Sequence, residues 1–177
     1  MPRLGASLLL ATLAGCVHPV GSALTRAAQT EEAPPEDFAL LYQEREGALG
    51  GRDIVVRADG TMRLERWRPG FVPSTERPEA TLNATQAPAG ALAEQRELRL
   101  RPAQMQRLVR ALVEIEAWEQ EAGDGLPSAP VEGGRVTVRL RAGGATSEAW
   151  EYARDLEAND RLVRVRRLLD EFLLRSP

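Results

Sequence analysis

The clearest pattern in the chain is an alternation of apolar and polar residues over 54–67, which predicts a β-hairpin. Asp59-Gly60 marks its turn. A two-residue loop would pair apolar residues with charged ones, whereas a three-residue loop over 58–60 places all four apolar side chains on one face. We therefore predict the three-residue loop, with Gly60 in the left-handed region as a G1 bulge. The four apolar residues are Ile54, Val56, Met62 and Leu64.

A second alternation predicts another hairpin over 135–153, around Gly143-Gly144. Its first strand alternates apolar residues with threonine and arginine, and Trp150 and Tyr152 share one face of the return strand. An odd-length turn would bring these two aromatic residues onto the apolar face. We predict that turn, because register should follow burial.

Two stretches show helical spacing of apolar residues. The first covers 102–121 and begins at Pro102, a residue well suited to the first position of a helix. Asn159 or Asp160 can cap the second. The apolar positions are Met105, Leu108, Val109, Leu112, Ile115 and Trp118 in the first, and Leu162, Val165, Leu169, Phe172 and Leu173 in the second.

These elements predict a single α+β domain over residues 37–177. Phe38 to Arg45 supplies a first strand, and Leu98 and Leu100 suggest one further short strand. The order βββ-α-ββ-α favours a two-layer fold, with one mainly antiparallel sheet of about five strands and both helices on one face. A proline-rich stretch, 69–95, interrupts the pattern, and we expect it to be a disordered loop.

The N-terminal 15 residues have the layout of a secretory signal peptide. Arg3 precedes a short apolar run, and small residues precede the one cysteine, Cys16. Leu13-Ala14-Gly15-Cys16 resembles the lipobox of bacterial lipoproteins. The resemblance implies cleavage between Gly15 and Cys16, acylation of Cys16, and attachment of the protein to a lipid bilayer. Val17 follows Cys16, where an aspartate would suggest inner-membrane retention, so the resemblance implies an outer-membrane lipoprotein facing the periplasm.

Residues 16–36 contain the lipidated cysteine and then small and polar residues with several prolines. We find no periodic apolar pattern in 17–36, so we expect a flexible tether that buries too little apolar area to become ordered. A flexible chain of about 20 residues spans roughly 25 Å on average. Such a tether would leave the domain free to take any orientation at the membrane.

Composition and charge then exclude several function classes. The formal net charge is −3, which argues against a nucleic-acid-binding protein. The one histidine, His18, lies in the predicted tether, and the one cysteine in the lipobox. The domain therefore lacks the residues for histidine-dependent catalysis and histidine-ligated zinc. We predict no enzyme activity, no metal and no cofactor. An enzyme using carboxylates alone is a weaker alternative, because no pair of acids stands out on separate apolar elements.

Two charged clusters have a simple structural interpretation. Four acids over 114–121 suggest a cation site, but no loop supplies the further oxygen ligands that calcium needs, so a solvated helix face is favoured. Four arginines over 161–167 could contact anionic lipid or glycan. Acidic residues surround them, so we expect an exposed face with many ion pairs. These residues are Glu114, Glu116, Glu119 and Glu121, and Arg161, Arg164, Arg166 and Arg167.

The segment 41–67 resembles small secreted and lipoprotein domains of the emfourin type. The resemblance lies in Arg45, the glycine-rich turn up to Gly50-Gly51, and the later Asp59-Gly60 turn. It implies a similar order of elements, and some family members inhibit thermolysin-like metalloproteases. This chain departs from the pattern in its long proline-rich loop at 69–95 and in lacking a clear acidic residue just before the Val136 strand.

We therefore expect a lipid-anchored, non-catalytic interaction module of the cell envelope. The alternative is an emfourin-like inhibitor of a thermolysin-type metalloprotease. In both cases the partner would be an envelope or secreted protein. A short turn held by two strands loses little entropy on binding. The other candidate, the proline-rich loop over 69–95, is longer and would have to become ordered at an entropic cost. We therefore predict that the turn over 46–51 is the contact site, through Gly47, Ala48, Leu49 and Gly50, with Leu49 as its apolar tip.

Overall fold

The computed structural model describes residues 18–45, 50–68, 92–120, 135–152 and 160–175. Within these ranges the chain forms six strands and three helices. The helices are α1 (Pro19–Thr30), α2 (Pro102–Glu114) and α3 (Asp160–Arg175). The strands are β1 (Ala39–Arg45), β2 (Gly51–Arg57), β3 (Thr61–Trp67), β4 (Leu92–Arg99), β5 (Arg135–Ala142) and β6 (Ala145–Tyr152).

The strands form one antiparallel sheet in the order β4-β3-β2-β1-β5-β6. The fold is α+β, as predicted from the sequence. The sheet has six strands where about five were predicted, because the short strand suggested by Leu98 and Leu100 is the eight-residue β4. It begins at Leu92, so residues 92–95 belong to the sheet and not to the disordered loop predicted over 69–95. The rest of that loop, 69–91, lies outside the described residues.

All three helices pack on the same face of the sheet, which confirms the predicted single core. One large cluster of buried apolar side chains combines this face with residues from each helix. The predicted apolar stripes of α2 and α3 lie in this cluster, and Trp118 packs against it half-buried. The opposite face of the sheet contributes a small separate cluster made of Ala39, Leu41 and Val55.

The first hairpin has the predicted register. Val56 pairs with Met62 and Ile54 pairs with Leu64. Gly60 has a φ of 84°, as a G1 bulge requires. Its position is also tight, because a Cβ on Gly60 would lie 2.8 Å from the carbonyl oxygen of Leu100.

The predicted register of the second hairpin is wrong. Ala142 pairs with Ala145, so the loop is the two-residue Gly143-Gly144, with positive φ at both glycines as in a type I′ turn. Trp150 consequently lies opposite Thr137, on the face away from the helices. Its backbone N–H and carbonyl both bond to the side-chain amide of Gln120, at 2.9 and 3.1 Å.

The second hairpin differs from the prediction because α1 lies over β5 and β6. A Cβ on Gly143 would lie 3.0 Å from the Cβ of Ala23 in α1, so this helix leaves little room for large side chains. The helix-facing positions of β6 are small or polar. They are Ala145, Ser147, Ala149 and Glu151, by their pairing with the apolar face of β5.

The expected flexible tether over 17–36 is also wrong for much of its length. Residues 19–30 form α1, and Val20 and Leu24 are fully buried in the core. The helix begins with a proline, as favoured at a first position, and its buried residues recur at helical spacing. Its apolar stripe is narrow and made partly of alanine, so packing against the sheet stabilises it more than local propensity does.

The helix α2 ends earlier than the predicted 102–121. It stops at Glu114, and Glu116 adopts a φ of 48°, which cannot continue a helix. The chain then makes an irregular turn that brings Trp118 against Gly21 of α1. Further along the chain, Arg161 donates hydrogen bonds to the carbonyls of Ile115, Glu116 and Glu119 and so satisfies acceptors left open at this end.

Candidate functional site

The predicted contact turn lies between the paired ends of β1 and β2. Residues 46–49, including Gly47, Ala48 and Leu49, lie outside the described residues, as do Gly15 and Cys16. Gly50 is described and buried, and a Cβ there would lie 2.5 Å from the carbonyl oxygen of Trp67 at the end of β3. The arm of the turn that leads into β2 is therefore packed tightly against the neighbouring strand.

A partly buried ionic network holds the strand ends at the base of this turn. Glu44 of β1 pairs directly with Arg52 of β2, and both face the helices. The Nε of Arg52 donates to Glu44 at 2.5 Å, and its Nη1 donates to Asp170 of α3 at 2.6 Å. Arg166, one helical turn before Asp170, contacts Glu44 at 3.3 Å. The network thus ties both strands of the turn to α3.

Two groups at this network, Tyr42 and Arg52, have pKa values shifted by their surroundings. The phenol of Tyr42 donates to Glu44 at 2.7 Å. Burial, and then the charge of Glu44, raise the pKa of Tyr42 above its ordinary value, so the phenol stays neutral. Burial alone would lower the pKa of Arg52, but hydrogen bonds to Asp170 and Glu44 outweigh it and raise this pKa. Neither group is poised to exchange a proton near neutral pH.

Beside the network lies a cleft of about 320 Å³. Three of its residues are arginines, of which Arg52 is the least exposed, with 11% of its side chain accessible. Arg66 is 53% exposed in its side chain, with Glu94 at 3.2 Å, and Arg166 is 38% exposed. The cleft can therefore offer guanidinium N–H donors to an anionic or hydrogen-bonding group of a partner. Its lining is Glu44, Gly51, Arg52, Arg66, Trp67, Ala93 and Arg166.

A larger groove of about 760 Å³ runs over the helices and is lined by charged side chains of α2 and α3. Arg107 pairs with Glu171 at 2.6 Å, and Arg164 pairs with Glu114. The ion pair raises the pKa of Arg107, and the hydrogen bond from Arg107 lowers that of Glu171. Arg107 is exposed and Glu171 is partly exposed, and pairs of this kind contribute little to stability.

The structure shows how the two charged clusters identified in the sequence are arranged. The arginines of α3 do form an exposed face with ion pairs, but Arg164 and Arg166 pair with acids of other elements, and Arg161 binds backbone carbonyls. Glu114, Glu116 and Glu119 are exposed, and Glu121 lies outside the described residues. In the part of the chain that the structure describes, no group of three or more His, Cys, Asp and Glu residues is placed to hold a metal ion.

Two features of the candidate site could not be predicted from the sequence. The ion network was not predicted, because its members come from β1, β2 and α3, and only the tertiary fold brings them together. The position of the domain relative to Cys16 was also missed. Val20, Leu24 and Ala27 recur at helical spacing, which was the available signal for this helix. The pattern covers too few residues to predict a helix in a segment that also contains glycine and proline.

The described helices include none that is long and apolar enough to cross a membrane. No protein-family model matches the chain, and no curated protein is significantly similar to it in sequence.

Proposed function

We propose that this protein is a lipid-anchored, non-catalytic interaction module of the bacterial cell envelope. In this proposal, acylated Cys16 attaches it to the outer membrane, facing the periplasm. The β1–β2 end of the sheet contacts an envelope or secreted protein. The lipobox-like Leu13-Ala14-Gly15-Cys16 supports the anchor, and the geometry around the turn supports the contact surface.

The observation that carries the contact surface is the ionic network beneath the turn. Glu44, Arg52 and Asp170 connect both strand ends to α3 through short hydrogen bonds. A turn presented by such a frame loses little conformational entropy when a partner binds. The neighbouring arginine-lined cleft adds donors for polar contacts around the apolar tip that we assign to Leu49.

The same network supports a non-catalytic role. Catalytic groups usually have a pKa moved toward the working pH. Here the shifts of Tyr42 and Arg52 move the other way and hold the phenol neutral and the guanidinium charged. These groups suit a structural frame better than proton transfer.

Lipidation is tested by the mass of the mature protein purified from envelope membranes. We expect a diacylglycerol on Cys16 and an acylated N-terminus, and we expect Cys16→Ser to remove both. A mature N-terminus elsewhere, or one without acyl chains, would contradict the anchor.

Partner capture is tested by co-purification of the tagged, lipidated protein from envelope membranes. Leu49→Asp should abolish capture and leave thermal stability nearly unchanged. Leu174→Asp is the matched control, because Leu174 is 86% exposed at the far end of α3. Capture that survives Leu49→Asp, or unfolding by it, would contradict the proposed contact site.

The inhibitor alternative has its own assay. The soluble domain is added to a thermolysin-type metalloprotease, and residual activity is measured. Inhibition that Leu49→Asp removes would favour the emfourin-like inhibitor, whereas full residual activity favours the interaction module.

A further inference from the structure

We propose that the first turn of α1 and the β5–β6 turn form a surface that lies against the lipid bilayer, so that the β1–β2 end points away from it. This inference rests on the proposed lipidation of Cys16 and adds a fixed orientation to it. It would make the contact surface accessible to partners on the side away from the membrane.

The first step is the short connection between the anchor and the folded domain. Between Cys16 and Pro19, the first residue of α1, lie only Val17 and His18. An extended chain advances at most about 3.6 Å per residue, so three steps span about 11 Å. Because Val20 is already fully buried, the packed domain begins at this distance from the acylated residue.

The second step is the location of α1 in the fold. The carbonyl oxygen of Pro19 lies 4.0 Å from a Cβ placed on Gly143, and the Cβ of Ala23 lies 3.0 Å from it. The carboxylate of Asp37, just before β1, accepts hydrogen bonds from Gly143 and Gly144 at 3.0 and 2.7 Å. The start of α1, the β5–β6 turn and the start of β1 therefore share one end of the domain.

The third step is the distance to the contact surface. β1 runs from this end, at Ala39, to Arg45 at the base of the predicted contact turn. Six strand steps of roughly 3.3 Å place the two ends about 20 Å apart. The arginine-lined cleft belongs to the far end, because Gly51 and Trp67 both line it and pair with each other there.

The test uses the full-length lipidated protein in vesicles of phosphatidylethanolamine and phosphatidylglycerol. Cys16 is the one native cysteine, and acylation occupies its sulfur, so a thiol-reactive fluorophore labels introduced cysteines alone. Thr146→Cys reports the near end and Ala93→Cys the far end, and both positions are exposed on strands. With a quencher on the lipid headgroups, we expect strong quenching of the label at 146 and little quenching of the label at 93. Equal quenching at both positions overturns the inference.

A linker variant tests whether the short connection sets the orientation. A flexible Gly-Ser insert of about 20 residues after Val17 should remove the difference between the two labels, because such a chain reaches beyond 20 Å. A difference that persists with the insert overturns this reasoning. The mass of the mature protein separates the two failures, because absence of acyl chains contradicts the anchor itself, whereas equal quenching of a lipidated protein contradicts the orientation alone.

Discussion

Gly21 of α1 lies directly against the indole of Trp118. A Cβ on Gly21 would lie 2.5 Å from Cε2 of that ring, closer than any normal carbon contact. The absence of a side chain at Gly21 thus lets α1 settle beside the turn that follows α2. This contact connects the segment nearest to Cys16 with the rest of the helical layer.

Gly21→Val should destabilise the domain by about 1–3 kcal/mol, because the added methyl groups force the indole or α1 to move. Gln29→Val is the matched control, since it places the same β-branched residue at an exposed position of the same helix. Chemical denaturation measures both variants. Equal free energies of unfolding would mean that the packing of α1 on Trp118 contributes nothing.

Two turn glycines should differ in their sensitivity to alanine. Gly60 and Gly144 both have positive φ, at 84° and 76°, which costs roughly 1–2 kcal/mol for a residue with a Cβ. A Cβ on Gly60 also meets the Leu100 carbonyl oxygen at 2.8 Å, whereas nothing lies within 4 Å of one on Gly144. Gly60→Ala should therefore lower the free energy of unfolding more than Gly144→Ala. The reverse order in urea denaturation would contradict the packing described for the first hairpin.

The two classes of ion pair should respond very differently to loss of a carboxylate charge. Glu44→Gln removes one of the two carboxylates that bind the largely buried guanidinium of Arg52 and leaves Asp170 as its charged partner, so it should destabilise the protein by about 1–3 kcal/mol. Glu114→Gln removes the exposed partner of Arg164 and should change stability by less than about 1 kcal/mol. Denaturation at neutral pH compares them. Similar losses would show that the network beneath the contact turn is not a structural frame.

Stability should fall at high pH through Tyr42. Because its folded pKa lies above its ordinary value of 10.0, the phenol stabilises the fold fully below that pH, and the contribution is lost as pH rises beyond it. Tyr42→Phe should flatten this loss above about pH 10, while lowering stability at neutral pH by roughly 0.5–1.5 kcal/mol for the missing hydrogen bond. Tyr152→Phe, at the other tyrosine, is the control. An unchanged slope in Tyr42→Phe would refute the assignment.

Several features could be predicted from the sequence because a strong local pattern coincided with burial. The alternation around Asp59-Gly60 allowed one register with all four apolar residues on one face, and the structure has that register. The apolar stripes of α2 and α3 are wide, so their buried faces followed from spacing alone. The α+β class followed from the order of these elements.

The ionic network could not be predicted in this way. Glu44 and Arg52 are eight residues apart across a turn, but Asp170 lies 118 residues beyond Arg52. Helical spacing explains why Arg166 and Asp170 share a side of α3, and it does not say which strand they meet. That choice depends on how α3 crosses the sheet.

The sequence by itself determined the register of the first hairpin and the buried faces of two helices, since both depend on local periodicity. Only the tertiary structure decided the second hairpin and α1, and these two depend on each other. α1 covers β5 and β6 so closely that small residues face it and Trp150 turns to the opposite side. In return the sheet buries Val20 and Leu24, and this packing makes a helix of a segment whose own sequence predicts a flexible chain.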